Sequence, residues 1–458
     1  MNDGVRLFWF RRDLRLDDNA GLYAALKGGG PVVGVFVFDR HILDVLEDDD
    51  DARVTFLHRH VTRLRGEIEA LGGRMEVRYG TPEDVWSELA DAYRPAAVYA
   101  NRDYEPYALA RDEAVAELLA ARGSALELSK DHVIFESEEV QKGGGGPYTV
   151  FTPYSRRWLE RLHGRPDRDA NGGDVSYYLK AYPTERYLDA FAGALPSGLS
   201  APPPIPGIGE MGFRESDLAY PDRQADEDVI ATYDRTRDIP SIAGTTQVGV
   251  HLRHGTLSIR ALARRALGLN PVYLSELIWR DFYSQVLQAY PHVVEHSYRR
   301  EYDEIEWVND EEAFAAWCEG RTGYPLVDAG MRQLNATGYM HNRVRMLTAS
   351  FLTKHLLTDW RWGERYFARK LLDYDLASNN GGWQWAAGSG CDASPYFRVF
   401  NPTTQLKKFD PERRYVRRWV PEYGTPDYPE PIIDHAFGRE RALATYKRGL
   451  RRARSGIG

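Results

Sequence analysis

Over the first 130 residues, short apolar runs alternate with longer amphipathic stretches. Val5–Phe10, Val32–Phe38, Met75–Tyr79, Ala97–Ala100 and Leu126–Leu128 are short, largely apolar runs, the pattern of strands buried in a sheet. Between them the period changes. In Ala52–Leu71 the residues Leu57, Val61, Leu64, Ile68 and Leu71 step by four, three, four and three, which sets them on one helix face. Thr81-Pro82-Glu83 supplies an N-cap hydroxyl and a proline for the first helical position, so another helix should start there. Strands and helices alternating over short connections predict a doubly wound parallel sheet. No G-x-G-x-x-G follows a strand, so an ordinary dinucleotide site is not expected on that sheet.

The pattern dissolves between about 131 and 210. Gly143–Gly146 reads as a flexible run, and Ala194–Gly212, with Pro196, Pro202, Pro203, Pro204 and Pro206, has a linker composition. From about Glu227 onward the periodicity is helical, strongest in Pro271–Tyr290, Asp310–Glu319, Pro325–Ala336 and Met340–Thr358. The expected organisation is an α/β domain over 1–130, a linker over 131–212 and an all-α domain over 213–458.

Composition narrows the function classes. The 458 residues are 43% hydrophobic and 28% charged, in the range of soluble globular proteins. No run approaches the ~20 apolar residues of a membrane span. Arg11 and Arg12 follow the Leu7–Phe10 run, the wrong order for a signal peptide, so neither a leader nor a membrane anchor is expected. Two cysteines, Cys318 and Cys391, exclude a disulfide framework or an all-cysteine zinc site and suit the reducing cytoplasm. The net charge of −8 argues weakly against a generic nucleic-acid coat, but residues from Asn401 onward carry 13 Lys/Arg against 7 Asp/Glu, so a local face could hold phosphates. Aromatic residues reach 12%, and eight of the 11 Trp lie at or after Trp279. A core, a flat ligand, a flipped base or an electron path could each use them.

Five segments carry candidate chemistry. In Asn270–Tyr283, Glu276, Trp279 and Arg280 share a helical face, where a carboxylate beside an aromatic plane could bind a base; a core Trp beside a surface Glu–Arg pair fits the spacing as well. In Gly338–Met346, Asn342, Arg345 and Met346 share a face, and Arg343 points elsewhere, towards a phosphate or solvent. Asp373–Trp385 combines paired Asp, two glycines and alternating Trp, which suits a tight segment around a ligand rather than an ordinary helix. Its Asp pair could mean general acid/base work, whereas no His/Cys spacing supports a metal. Tyr396–Pro411 interleaves cations with aromatics and amides, the ingredients of a phosphate-tracking surface or of a plain surface loop. Gly244–Gly249 is a hydroxyl-rich turn before a helix, able to offer N–H groups to a phosphate.

In this order these segments resemble the photolyase/cryptochrome family of blue-light flavoproteins, over nearly the whole chain. The likeness also rests on Phe10–Asn19, Tyr148–Tyr154, Gly323–Gln333 and Phe400–Gln405, and is nearest to class I cyclobutane pyrimidine dimer photolyases. It implies a Rossmann-like antenna domain, a long linker and a helical domain holding a U-shaped FAD. By resemblance, Tyr233, Thr245, Thr246, Gln247, Val248, Gly249, Arg280, Asn342, Arg345, Asp373, Asp375 and Asn379 bind that cofactor. Asn379 would face flavin N5, and an Arg345–Asp373 pair would favour the anionic reduced flavin. Glu276, Trp279, Asn342, Met346 and Trp385 match the lesion pocket of dimer photolyases. A dimer is poorly stacked and cheap to flip out; the two Trp would pack on it and Glu276 would bond a pyrimidine edge. Arg343, Arg398, Gln405 and Lys408 would hold DNA phosphates. Trp383, Trp360 and Trp307 match the tryptophan chain that photoreduces FAD.

Three positions depart from the family. Val248 and Gly249 stand where Leu and Ser are frequent, and Tyr273 where Trp is common. Asn101–Pro106, at a strand end, is the place for a second, antenna chromophore, a deazaflavin, methenyltetrahydrofolate or a flavin, or for none. The expected activity is light-driven repair of pyrimidine dimers in DNA by a cytoplasmic monomer without a metal. The alternative is a cryptochrome photoreceptor without repair, and retention of Trp279, Met346 and Trp385 weighs against it.

Overall fold

The computed structural model describes residues 4–164 and 175–455. Its chain falls into two compact units. The first comprises residues up to Val140, Arg157–Gln224 and Val248–Gly268; the second comprises Gln141–Arg156, Ala225–Gln247 and everything from Leu269.

In the first unit, β1 (Arg6–Phe10), β2 (Val32–Asp39), β3 (Met75–Gly80), β4 (Ala97–Asn101) and β5 (Leu126–Ser129) form one parallel sheet in the order β3-β2-β1-β4-β5. Each strand follows an apolar run anticipated above. The longer helices between the strands are α1 (Ala20–Lys27), α2 (Ala52–Ala70), α3 (Pro82–Tyr93) and α4 (Pro106–Ala120). Thr81 caps α3 by accepting from the Asp84 N–H, with Pro82 in the first turn. In α2, Val61, Leu64 and Ile68 are buried as expected, but Leu57 is only half-buried and Leu71 lies at the exposed C-cap; Val54 and Phe56 complete the buried face.

The units do not coincide with the division 1–130, 131–212 and 213–458. Proline-rich composition reads as linker, yet Phe191, Met211 and Phe213 sit in the core beside β2 and α2, and Phe135 packs edge-on against Trp158. Val248–Gly268 joins the first unit through a buried ion cluster, in which Arg260 reaches both Asp18 and Asp131 and Arg15 reaches Asp131 at 2.7 Å. Burial opposes ionisation there, but Arg15 and Arg260 hold the Asp131 carboxyl well below its usual range. Gly143–Gly146 is an ordered turn, with Gln141 bridged to Pro147.

At the C-terminal end of β4, Asn101 donates to Asp13 at 2.6 Å and to Asn19 at 2.7 Å, and Arg12 reaches Asp103 at 3.0 Å and Glu105 at 2.9 Å. The polar groups of Asn101–Pro106 that sequence offered to an antenna chromophore are therefore engaged in an internal network.

The second unit is helical. Its site-forming helices are α5 (Pro271–Ala289), α6 (Asn342–Ser350), α7 (Trp360–Lys370), α8 (Leu376–Ala387) and α9 (Pro402–Phe409). The helix expected over Met340–Thr358 is divided: α6 runs into a π-helical turn, Phe351–Leu356, which ends at Leu357 in the left-handed region. No described helix is long and apolar enough to cross a membrane.

Candidate active site

Local capping sets the phase of three helices around one cleft. Asn270 accepts from the N–H groups of Val272 and Tyr273, with Pro271 in the first turn of α5. That phase turns Glu276, Trp279, Arg280 and Tyr283 into the cleft. His341 caps α6, its Nδ1 accepting from the Arg343 N–H at 3.2 Å. Burial pushes this imidazole down to about 4, so it stays neutral and keeps its lone pair for the cap. Asn342, Arg345, Met346 and Ala349 then line the cleft at helical spacing. Asp375 caps α8 by accepting from the Ser378 N–H at 3.0 Å, and Ser378, Asn379, Gly382, Trp383 and Trp385 complete the wall.

The last result corrects the sequence reading. Asp373–Trp385 does not wrap a ligand as an irregular segment; from Leu376 it is an ordinary α-helix. Its glycines serve packing and access. A Cβ on Gly381 would overlap the Tyr283 ring, whereas one on Gly382, inside the cleft, would meet nothing within 4 Å. The cleft offers about 440 Å³ of solvent-accessible space, within the range of small-molecule and cofactor pockets.

The cleft is polar along one side. Arg345 Nη2 lies 2.9 and 3.1 Å from the two carboxylate oxygens of Asp373, and its Nε donates to the Met340 carbonyl at 2.7 Å. Glu276 Oε1 meets Arg237 Nη1 at 2.6 Å. Burial raises the Glu276 carboxyl above its ordinary value, against the pull of Arg237. Asn379 donates to the carboxylate of Glu364, which burial also raises.

Aromatic residues form the other side. Trp279 stacks on Phe151 at 3.6 Å with planes 5° apart, so one indole face is already covered. Trp385 lies tilted beside Phe400 at 6.4 Å. Trp383 lines the cleft, packs on Gly363 and meets Phe367 edge-on at 5.0 Å; its indole N–H is buried and has no hydrogen-bond partner among the described residues. Trp360 is buried at the start of α7, and half-buried Trp307 meets Tyr446 edge-on at 5.8 Å.

The other anticipated residues are not part of the cleft lining. The Thr246 hydroxyl bonds the Tyr273 hydroxyl at 2.7 Å, Thr245 bonds that of Tyr339 at 3.1 Å, and the Tyr233 ring meets Tyr273 edge-on at 5.1 Å. Gln247 is exposed with φ 53°. Val248 precedes and Gly249 starts a short helix, Gly249–Arg253, of the first unit. Arg343 pairs with Asp238 and lies over the Phe409 ring at 4.7 Å. Exposed Lys408 lies 5.0 Å from that ring, Gln405 is on the same helix, and Arg398 is exposed beside Phe400.

Sequence reasoning missed Arg237, Asp238, Phe151 and Glu364. Phe151 lay inside the quoted Tyr148–Tyr154 motif. The others gave no signal, because Arg237 is 39 residues from Glu276 in the chain and Glu364 is 15 from Asn379. Among the described residues no group of three or more His, Cys, Asp or Glu is placed to hold a metal ion.

Two family models match the chain. A family model described as DNA photolyase matches residues 6–171, and one described as the FAD binding domain of DNA photolyase matches residues 273–426. A deoxyribodipyrimidine photo-lyase from Halobacterium salinarum is 36% identical, over 97% of this chain and 99% of its own. A bacterial class III photolyase from Agrobacterium tumefaciens superposes with a TM-score of 0.83 at 32% identity, covering 98% of each chain. An archaeal photolyase from Sulfolobus tokodaii, solved with two FAD molecules, superposes with a TM-score of 0.77 at 34% identity, covering 97% of this chain and 100% of its own.

Proposed function

The chain belongs to the DNA photolyase family, and from that premise we propose that it repairs cyclobutane pyrimidine dimers in DNA by light-driven electron transfer, with FAD in the cleft. Bound there in its reduced form, FAD would supply the light-driven electron that opens the cyclobutane ring and would recover it afterwards, with no net redox change.

The residues present fit this cofactor. Gly382 leaves open space in the cleft where a side chain would project, and the buried indole N–H of Trp383 lacks a partner among the described residues. Asn342, Arg345, Asp373, Asp375 and Asn379 would hold the flavin end. Arg280, Tyr233, Thr245, Thr246 and Gln247 would hold the remainder. Arg345, held by Asp373, would set a cation beside the anionic reduced ring.

Glu276, Trp279, Asn342, Met346 and Trp385 would receive the flipped dimer. Phe151 backs Trp279, so its free face is held rigidly for stacking. Glu276, oriented by Arg237, would accept from a pyrimidine N–H. Arg343, Arg398, Gln405 and Lys408 would hold the phosphates flanking the opened strand. Trp383, Trp360 and Trp307 would carry electrons inward from the surface to keep the cofactor reduced.

One observation carries this reading: dimer-matching residues of α5, α6 and α8 share a single cleft with the Arg345–Asp373 pair and the Gly382 slot. It favours repair over a cryptochrome role, which does not require the lesion residues. We further read residues 213–458 as the functional catalytic region, the protein as a cytoplasmic monomer, and a second chromophore as an antenna, such as the additional FAD of the Sulfolobus relative. Absorption of the purified protein, followed by chromophore extraction, tests the cofactor assignment. A flavin spectrum with extractable FAD is expected; a protein that stays colourless after incubation with FAD overturns it.

A further inference from the structure

The loop after the short helix Tyr233–Thr236 presents two opposite charges in succession. Arg237 pairs with Glu276 of α5 at 2.6 Å, and Asp238 pairs with Arg343 of α6. Asp238 Oδ1 accepts from both Arg343 Nη2, at 2.6 Å, and Nε, at 3.1 Å. One anionic oxygen thus takes two guanidinium donors, a charge-assisted contact that a phosphate oxygen could equally make. The Phe409 ring beneath Arg343 holds the guanidinium plane, and the neighbouring Arg237 pair seats the loop.

We propose that Asp238 is a specificity-determining residue: an internal phosphate mimic that occupies Arg343 until a DNA phosphate displaces it. The proposal rests on the repair reading, which makes Arg343 a phosphate ligand. The Asp238 side chain is 43% exposed and that of Arg343 21%, so a phosphate can reach the pair, and an ion pair this exposed is weak enough to exchange. While paired, Arg343 presents a dipole rather than a free cation and adds little to long-range attraction for intact duplex. A lesion that opens the backbone brings a phosphate close enough to compete. Asp238 therefore suppresses binding to undamaged DNA more than binding to damaged DNA.

The test is binding in the dark by the FAD-loaded protein, to an intact duplex and to one carrying a single thymine dimer, over a range of salt concentrations. Asp238→Asn should tighten intact-duplex binding by about threefold to fivefold, the size expected when an exposed pair is released. It should also steepen the fall of log affinity with log salt by about 0.9, for one added phosphate contact, and lower the preference for damaged DNA. In an Arg343→Gln background the same substitution should change little. Unchanged intact-duplex binding, or an equal gain in the Arg343→Gln background, overturns the proposal; the latter would mark a general charge effect. If the wild type does not prefer the dimer, the repair reading falls instead, while competition by Asp238 is still decided on the intact duplex.

Discussion

The side-chain amide of Asn379 donates twice to Glu364, at 2.8 Å to the carboxylate and at 3.1 Å to the backbone carbonyl. With the N–H₂ group engaged, the amide oxygen is what Asn379 offers the cleft. With FAD bound as proposed, an acceptor there would favour a flavin that carries a proton at N5, as the reduced form does. Glu364 would then act through Asn379, as a positioning residue. Glu364→Leu should lower the reduction potential of bound FAD by about 20 mV, the equivalent of one net hydrogen bond of about 1 kcal/mol in a two-electron couple. Glu364→Gln, which keeps an acceptor, should restore most of it. Spectroelectrochemical titration of the three proteins checks this.

Glu276→Ala removes the carboxylate proposed to meet the lesion without touching the Arg345–Asp373 pair. Repair per absorbed photon should fall several-fold while FAD content is unchanged. Loss of both together would place Glu276 with the cofactor instead.

Gly382→Val fills the slot in α8, where a Cβ meets no neighbour. The helix should form and the protein should melt as a folded chain, but flavin absorbance should be lost. Normal FAD loading would contradict the assigned position of the ring.

Trp383→Phe should abolish photoreduction of oxidised FAD by illumination, leaving repair intact once the cofactor is chemically reduced. Transient absorption and a repair assay on dithionite-reduced protein separate the two.

His341 gives the fold a pH dependence. Burial lowers its folded value to about 4 from an ordinary 6.5, so between those values the unfolded chain binds more protons. Stability is therefore present above about pH 6.5 and declines as pH falls towards 4, by about 3 kcal/mol for this group. His341→Asn retains a cap acceptor for the Arg343 N–H. Its Tm should fall less than that of the wild type between pH 7 and pH 5, as read by calorimetry.

The sheet was legible because strands buried in a parallel sheet are nearly continuous apolar runs, as in Val32–Phe38. The cleft was legible where its residues sit on one helix: Glu276, Trp279 and Arg280 declared a face by spacing, and family resemblance gave that face a meaning. Asp373–Trp385 misled because Gly381 and Gly382 look like helix breakers. Tertiary contact with Tyr283 and the cleft accounts for them inside a regular helix. The linker misled for a related reason: proline-rich composition says nothing of the few apolar anchors, such as Phe191 and Met211, that dock it. Arg237, Asp238 and Glu364 could not be found from spacing at all. Their partners are brought close only by folding, and charged residues in loops or on helices are ordinarily solvated.

Repair itself is the most direct test of the central claim. A duplex carrying one cyclobutane thymine dimer is incubated with the purified, FAD-loaded and reduced protein, in blue light and in darkness, and intact thymines are quantified. Restoration in light but not in darkness, reduced several-fold by Glu276→Ala, is the predicted result. A protein that holds reduced FAD and binds the duplex, yet restores no thymines under illumination, would contradict the account.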